Sequence, residues 1–89
     1  MNKRDVNLLK RLVDIRLRMK ELKEEISEDM KRYWNLAYDR TAMVQRHMEY
    51  GDDATEMKKF YDDTLKQYAE EREMKEKTLV DMEKLYEEI

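Results

Sequence analysis

The chain of 89 residues contains one glycine, Gly51, and no proline. A sheet protein needs frequent reversals, and reversals draw heavily on these two residues. A chain with one such site is confined to long helices, here one on each side of Gly51. Charged residues make up 46% of the chain and apolar or aromatic ones 40%. That mixture suits coiled coils as well as disorder, and the regular apolar spacing described next selects the coiled coil. The expected fold is therefore all-α: a long antiparallel two-helix hairpin forming a single domain over residues 1–89. Helix 1 is expected over about 3–50, the turn over 51–53 and helix 2 over about 54–89.

In the first arm Asn2 is placed to cap the helix, with Asp5 three residues on. An apolar seam then runs Leu8, Leu12, Ile15, Met19, Leu22, Ile26, Met30, Tyr33, Ala37, Val44, Met48, in steps of three and four with one step of seven across Arg40. Two consecutive steps of four around Ile26 read as a stutter, which locally unwinds a left-handed supercoil. Ser27-Glu28-Asp29 offers a second cap that would split the arm. No Gly or Pro precedes it, and Glu24 and Glu25 would oppose the dipole of a helix ending there, so a continuous helix is expected.

Arg46 and His47 suit the negative end of the first helix, and Gly51 suits the left-handed position beyond its last turn. Asp53 and Glu56 match a capping box at the start of the second helix. So short a connection makes the helices antiparallel neighbours. The second seam reads Ala54, Met57, Tyr61, Leu65, Tyr68, Arg72, Lys75, Leu79, Met82, Tyr86, Ile89. Equal rise along both arms means that facing position numbers add to about 103. Arg72 and Lys75 then face the stretch around Glu28 and Asp29, either as a polar layer setting register or as a buried cationic site for an anion.

The same count ends helix 2 near residue 14 of helix 1. Val6, Leu8, Leu9, Leu12 and Val13 are left without an intrachain partner, and Leu17 extends the outer stripe Val6, Leu9, Val13. Lys20, Glu24 and Lys31 interrupt that stripe before Trp34, Tyr38 and Ala42 resume it. A helix apolar on two faces expects two neighbours, and a two-helix hairpin has little core of its own. Self-association through Val6, Leu8, Leu9, Leu12, Val13 and Leu17 follows as an expectation, as a homodimeric four-helix bundle or a higher homo-oligomer. Trp34 and Tyr38 are candidates for a second contact surface, facing another subunit or a foreign protein.

Chemistry is harder to find. There is no cysteine, which removes disulfides and thiolate sites. One glycine cannot build a phosphate-cradling loop. His47 lies near Glu49, Asp52, Asp53 and Glu56, but position 44 is Val where a helical Glu-x-x-His ligand pair needs Glu. Glu25-x-x-Glu28 fits a string found in helical nucleotide hydrolases and equally fits a solvated charged face. No catalytic residue, cofactor or metal is assigned. No apolar run approaches a membrane span, and the N-terminus lacks a signal-peptide core, so a cytoplasmic protein away from the membrane is expected.

Charge is uneven. Residues 1–50 carry 12 Lys/Arg against 9 Asp/Glu, and residues 51–89 carry 7 against 13. Folding the arms together pairs the excesses. Arg4, Arg11 and Arg18 recur every seven residues on the basic arm, as in small dimeric hairpins that bind RNA, and define the alternative function: an RNA- or DNA-binding helical-bundle regulator. A pI near 5.3 opposes it. The primary expectation is a non-catalytic protein–protein interaction module, serving as a structural or adaptor subunit or as an inhibitor-type regulator.

Overall fold

The computed structural model describes residues 2–51 and 53–89. It contains two helices, α1 (Lys3–Glu49) and α2 (Thr55–Glu88), packed along one another. The molecule measures 73 × 15 × 14 Å, with a radius of gyration of 20.6 Å. A compact chain of this length would have about 12 Å, so the hairpin is a rod. The first helix runs unbroken through Ser27. The Asn2 side chain caps it, accepting from the Asp5 N–H at 2.9 Å, while Arg46 and His47 occupy its last turn.

Gly51 adopts φ +74°, the left-handed conformation that ends a helix without a Cβ penalty. Its N–H donates to the Met48 carbonyl at 3.1 Å. The entry to α2 differs from the expected capping box. Ala54, not Asp53, stands at the cap position, and it is buried. Asp53 lies one residue earlier, where its Oδ1 accepts from the Thr55 hydroxyl at 2.6 Å and the Thr55 N–H at 3.0 Å. Those two bonds, the hydroxyl's first, hold the Asp53 carboxyl below its ordinary value of 3.8. Asp52, expected within the turn and weighed as a metal ligand, lies outside the described residues.

The covered face of α1 corrects the seam. Covered side chains run Leu12, Ile15, Met19, Leu22, Ile26, Asp29, Tyr33, Leu36, Arg40, Met43 and His47, with Glu25, Ala37 and Val44 beside them, while Met48, expected in the seam, is exposed. Steps of three and four alternate throughout, an unbroken heptad pattern with no stutter. Met30 is exposed; Asp29 takes the place expected of it because Lys75 Nζ meets Asp29 Oδ2 at 2.7 Å. Arg40 closes the seven-residue gap through Asp62, Nε to Oδ1 2.8 Å. These two pairs straddle the predicted register of 103 by one residue on either side, so the arms are aligned as counted.

The α2 seam matches expectation from Met57 to Met82, but Tyr86 and Ile89 are exposed. They lie at the free end, where neighbours exist on one side only. The core is thin. Ile15, Leu22, Val44 and Ala54 are its buried apolar residues among those described, and only Leu22, at 1% exposure, is wholly enclosed.

Candidate interaction surface

The outer face of α1 carries the apolar side chains that α2 leaves bare. Val6, Leu8, Leu9, Val13 and Leu17 are all exposed, the last two at 55% and 54%. Leu12, expected to be uncovered, is half-buried at the level where α2 ends. At 100° per residue, the Leu9–Val13–Leu17 stripe sits about 130° round the helix from the seam. A shallow depression beside it is lined by Val13, Arg16, Leu17, Met19, Lys20 and Lys23, all from α1. Apolar floor and basic rim come from one helix, so α2 takes no part in this surface.

Further along the same face, Trp34 is 64% exposed and Tyr38 76%. The Trp34 ring is not isolated. It meets the half-buried Tyr33 ring edge to face at 5.3 Å between centroids. The Arg72 guanidinium lies 5.7 Å from the centre of Tyr33, a cation–π contact from the opposite helix. Arg72 thus anchors Tyr33 in the seam, and Tyr33 orients Trp34 outside it. Between the two apolar patches the face is polar, with Lys20, Glu24, Ser27 and Lys31 exposed.

The basic pair of α2 has internal partners. Lys75 is held by Asp29, and Arg72 by Tyr33 and by Glu76 Oε1 at 3.6 Å. This is the register-setting layer rather than an anion site. The arginine row divides. Arg18 Nη1 is engaged by Glu21 Oε2 at 3.2 Å and Glu25 Oε1 at 3.6 Å. Beyond it the surface turns acidic, in a depression lined by Glu21, Glu24, Glu25, Glu28, Asp29, Arg32 and Lys75. Arg4 and Arg11 lie on the projecting end of α1, with Asp5, Asn7 and Leu8 between them. The Glu25-x-x-Glu28 carboxylates point to basic neighbours, Arg18 and Lys31.

Four exposed apolar side chains on α2, Phe60, Met74, Val80 and Leu85, lie outside the seam expected from the sequence. Phe60 and Met74 are 65% and 69% exposed and lie two heptads apart, on one row of an otherwise charged face. Phe60 meets Tyr61 edge-on at 5.8 Å. Their fourteen-residue spacing was the signal. Among the described residues, no group of three or more His, Asp or Glu side chains is placed to hold a metal ion, and neither helix is long and apolar enough to cross a membrane. Comparison with protein-family models, curated proteins and solved structures finds no match to this chain.

Proposed function

We propose that this hairpin is a non-catalytic protein–protein interaction module that self-associates, acting as a structural or adaptor subunit or an inhibitor-type regulator. The observation that carries this is the outer face of α1: Val13, Leu17, Trp34 and Tyr38 are each more than half exposed, while among the described residues a single side chain, Leu22, is wholly enclosed. Burying apolar surface is worth about 25 cal/mol per Å², and a two-helix rod needs that contribution from outside itself. Thermal unfolding at increasing protein concentration tests this, since association with the folded form raises the midpoint by mass action. A midpoint that rises with concentration supports the module; one independent of concentration opposes self-association.

Nucleic-acid binding is the second reading, favoured by Arg4 and Arg11 on the part of α1 that projects beyond α2. Arg18, engaged with Glu21 and Glu25, weakens it. Salt-sensitive binding to RNA or DNA that is lost in Arg11→Glu would support it. Retention unaffected by that substitution would remove it.

A further inference from the structure

The two apolar patches of α1 are mirror images in spacing. Ascending from Val6, the outer residues Val6, Leu9, Val13 and Leu17 follow steps of three, four and four. Descending from Thr41, the outer residues Thr41, Tyr38, Trp34 and Met30 follow the same steps. All eight are exposed. Thr41 donates its hydroxyl back to the Ala37 carbonyl at 3.2 Å, which satisfies the polar atom and leaves its methyl as the apolar equivalent of Val6. A single helix has no need of such symmetry. An isologous interface does, because each patch must fit the other under a two-fold rotation.

We propose, building on the self-association reading, that the partner of this face is a second copy of the chain, docked α1 against antiparallel α1, with the two-fold axis between Lys23 and Glu24. Val13 then lies opposite Trp34 of the second copy and Val6 opposite Thr41. Leu9 comes level with Tyr38 and Leu17 with Met30. At the Val13–Trp34, Leu9–Tyr38 and Leu17–Met30 levels a larger side chain accompanies a smaller or more flexible one, as interdigitated packing requires, while Val6 and Thr41 are alike in size. Trp34, already oriented by Tyr33, is the anchor on each side.

Area supports this occupant. Trp34 and Tyr38 expose most of ring side chains that carry about 150–250 Å² each. With the aliphatic members at roughly half exposure, the stripe offers about 700 Å² per copy, close to the ~800 Å² per partner of a standard interface. The polar middle has a role too: an unbroken apolar stripe could slide by heptads, whereas Lys20, Lys23 and Glu24 gathered at the axis fix one alignment. Because the stripe lies about 130° from the seam, the two α1 helices sit at the centre and each α2 flanks them. That arrangement leaves the charged face of α2 in water. It is a layer of four helices with α1 paired to α1, not a square bundle in which every helix contributes equally.

The chain lacks cysteine, so introduced thiols report the register directly. Lys23→Cys lies at the axis and is expected to cross-link to itself. Lys20→Cys and Ser27→Cys are expected to link to each other when mixed but not to themselves, since like positions sit about 10 Å apart along the helices. Trp34→Ala should weaken the dimer at least about tenfold while leaving helix content unchanged. A dimer in which Lys20→Cys and Ser27→Cys each self-link is parallel, and one linking at none of these positions has another interface. Either result overturns this geometry while leaving self-association intact. A wild-type chain that stays monomeric, its Trp34 face protected only by a different protein or by nucleic acid, overturns both this geometry and the self-association it rests on.

Discussion

The Asp29–Lys75 pair yields the sharpest prediction about the rod itself. Asp29 is the one charged side chain buried in the seam of α1, at 9% exposure, and Lys75 Nζ reaches it at 2.7 Å while itself about one-third exposed. Breaking a buried pair by removing one partner costs about 3–5 kcal/mol. The exposure of Lys75 scales this down, and about 2–3 kcal/mol is expected for Lys75→Met. The short Asp29 side chain cannot reach water when its partner is gone. In Asp29→Leu the surviving lysine can extend into solvent on its four-carbon stem, so that substitution should cost about 1 kcal/mol or less. The double substitution should recover most of the loss, since apolar replacements of buried pairs are often neutral or stabilising. Urea denaturation of all four proteins at one fixed concentration gives the cycle, with the slope checked for constancy. The reasoning fails if Asp29→Leu costs as much as Lys75→Met, or if both costs fall within the few tenths of a kcal/mol of an exposed pair.

Other expectations follow from single features. Leu22→Ala removes the one wholly enclosed side chain among the described residues and should cost about 2–4 kcal/mol in the same urea assay; under 1 kcal/mol would mean the seam is not packed there. Gly51→Ala should cost about 1–2 kcal/mol through positive φ alone, because nothing lies within 4 Å of the added Cβ; a neutral result would show that the turn relaxes. Asp53 titrates below 3.8 in the folded chain, so its contribution to stability is present above that value and is lost as pH falls through the folded pKa. Thr55→Val removes the hydroxyl donor and should move the Asp53 carboxyl resonance titration upward by NMR, leaving a smaller acid-side loss.

Much of this architecture could be read from residue order, for identifiable reasons. Gly51 marked the reversal because it alone tolerates the left-handed conformation found there. Counting outward from it sets Arg72 and Lys75 against the stretch around Glu28 and Asp29, within one residue of the observed Lys75–Asp29 pair, since two straight helices rise equally. The seam of α1 was misread where it is charged. Following apolar residues alone passes over Asp29 and Arg40, whose partners are 46 and 22 positions away in sequence. It promotes Met30 instead and creates a stutter that does not exist. Tyr86 and Ile89 keep the seam spacing, yet periodicity carries no information about the missing neighbours at the end of a helix that leave them exposed. The outer stripe of α1 was visible as Val6, Leu9, Val13, Leu17, Trp34 and Tyr38. Its mirror symmetry emerged only when Met30 moved from the seam to the outer face and joined Thr41 there.

Sedimentation equilibrium of the wild-type chain, beside a Val13→Glu, Trp34→Glu double variant, tests the central claim most directly. The account predicts a wild-type species at twice the chain mass of 11.1 kDa in the micromolar range. The double variant should revert toward the single-chain mass. A wild-type chain that remains a helical monomer of 11.1 kDa into the high micromolar range would contradict it.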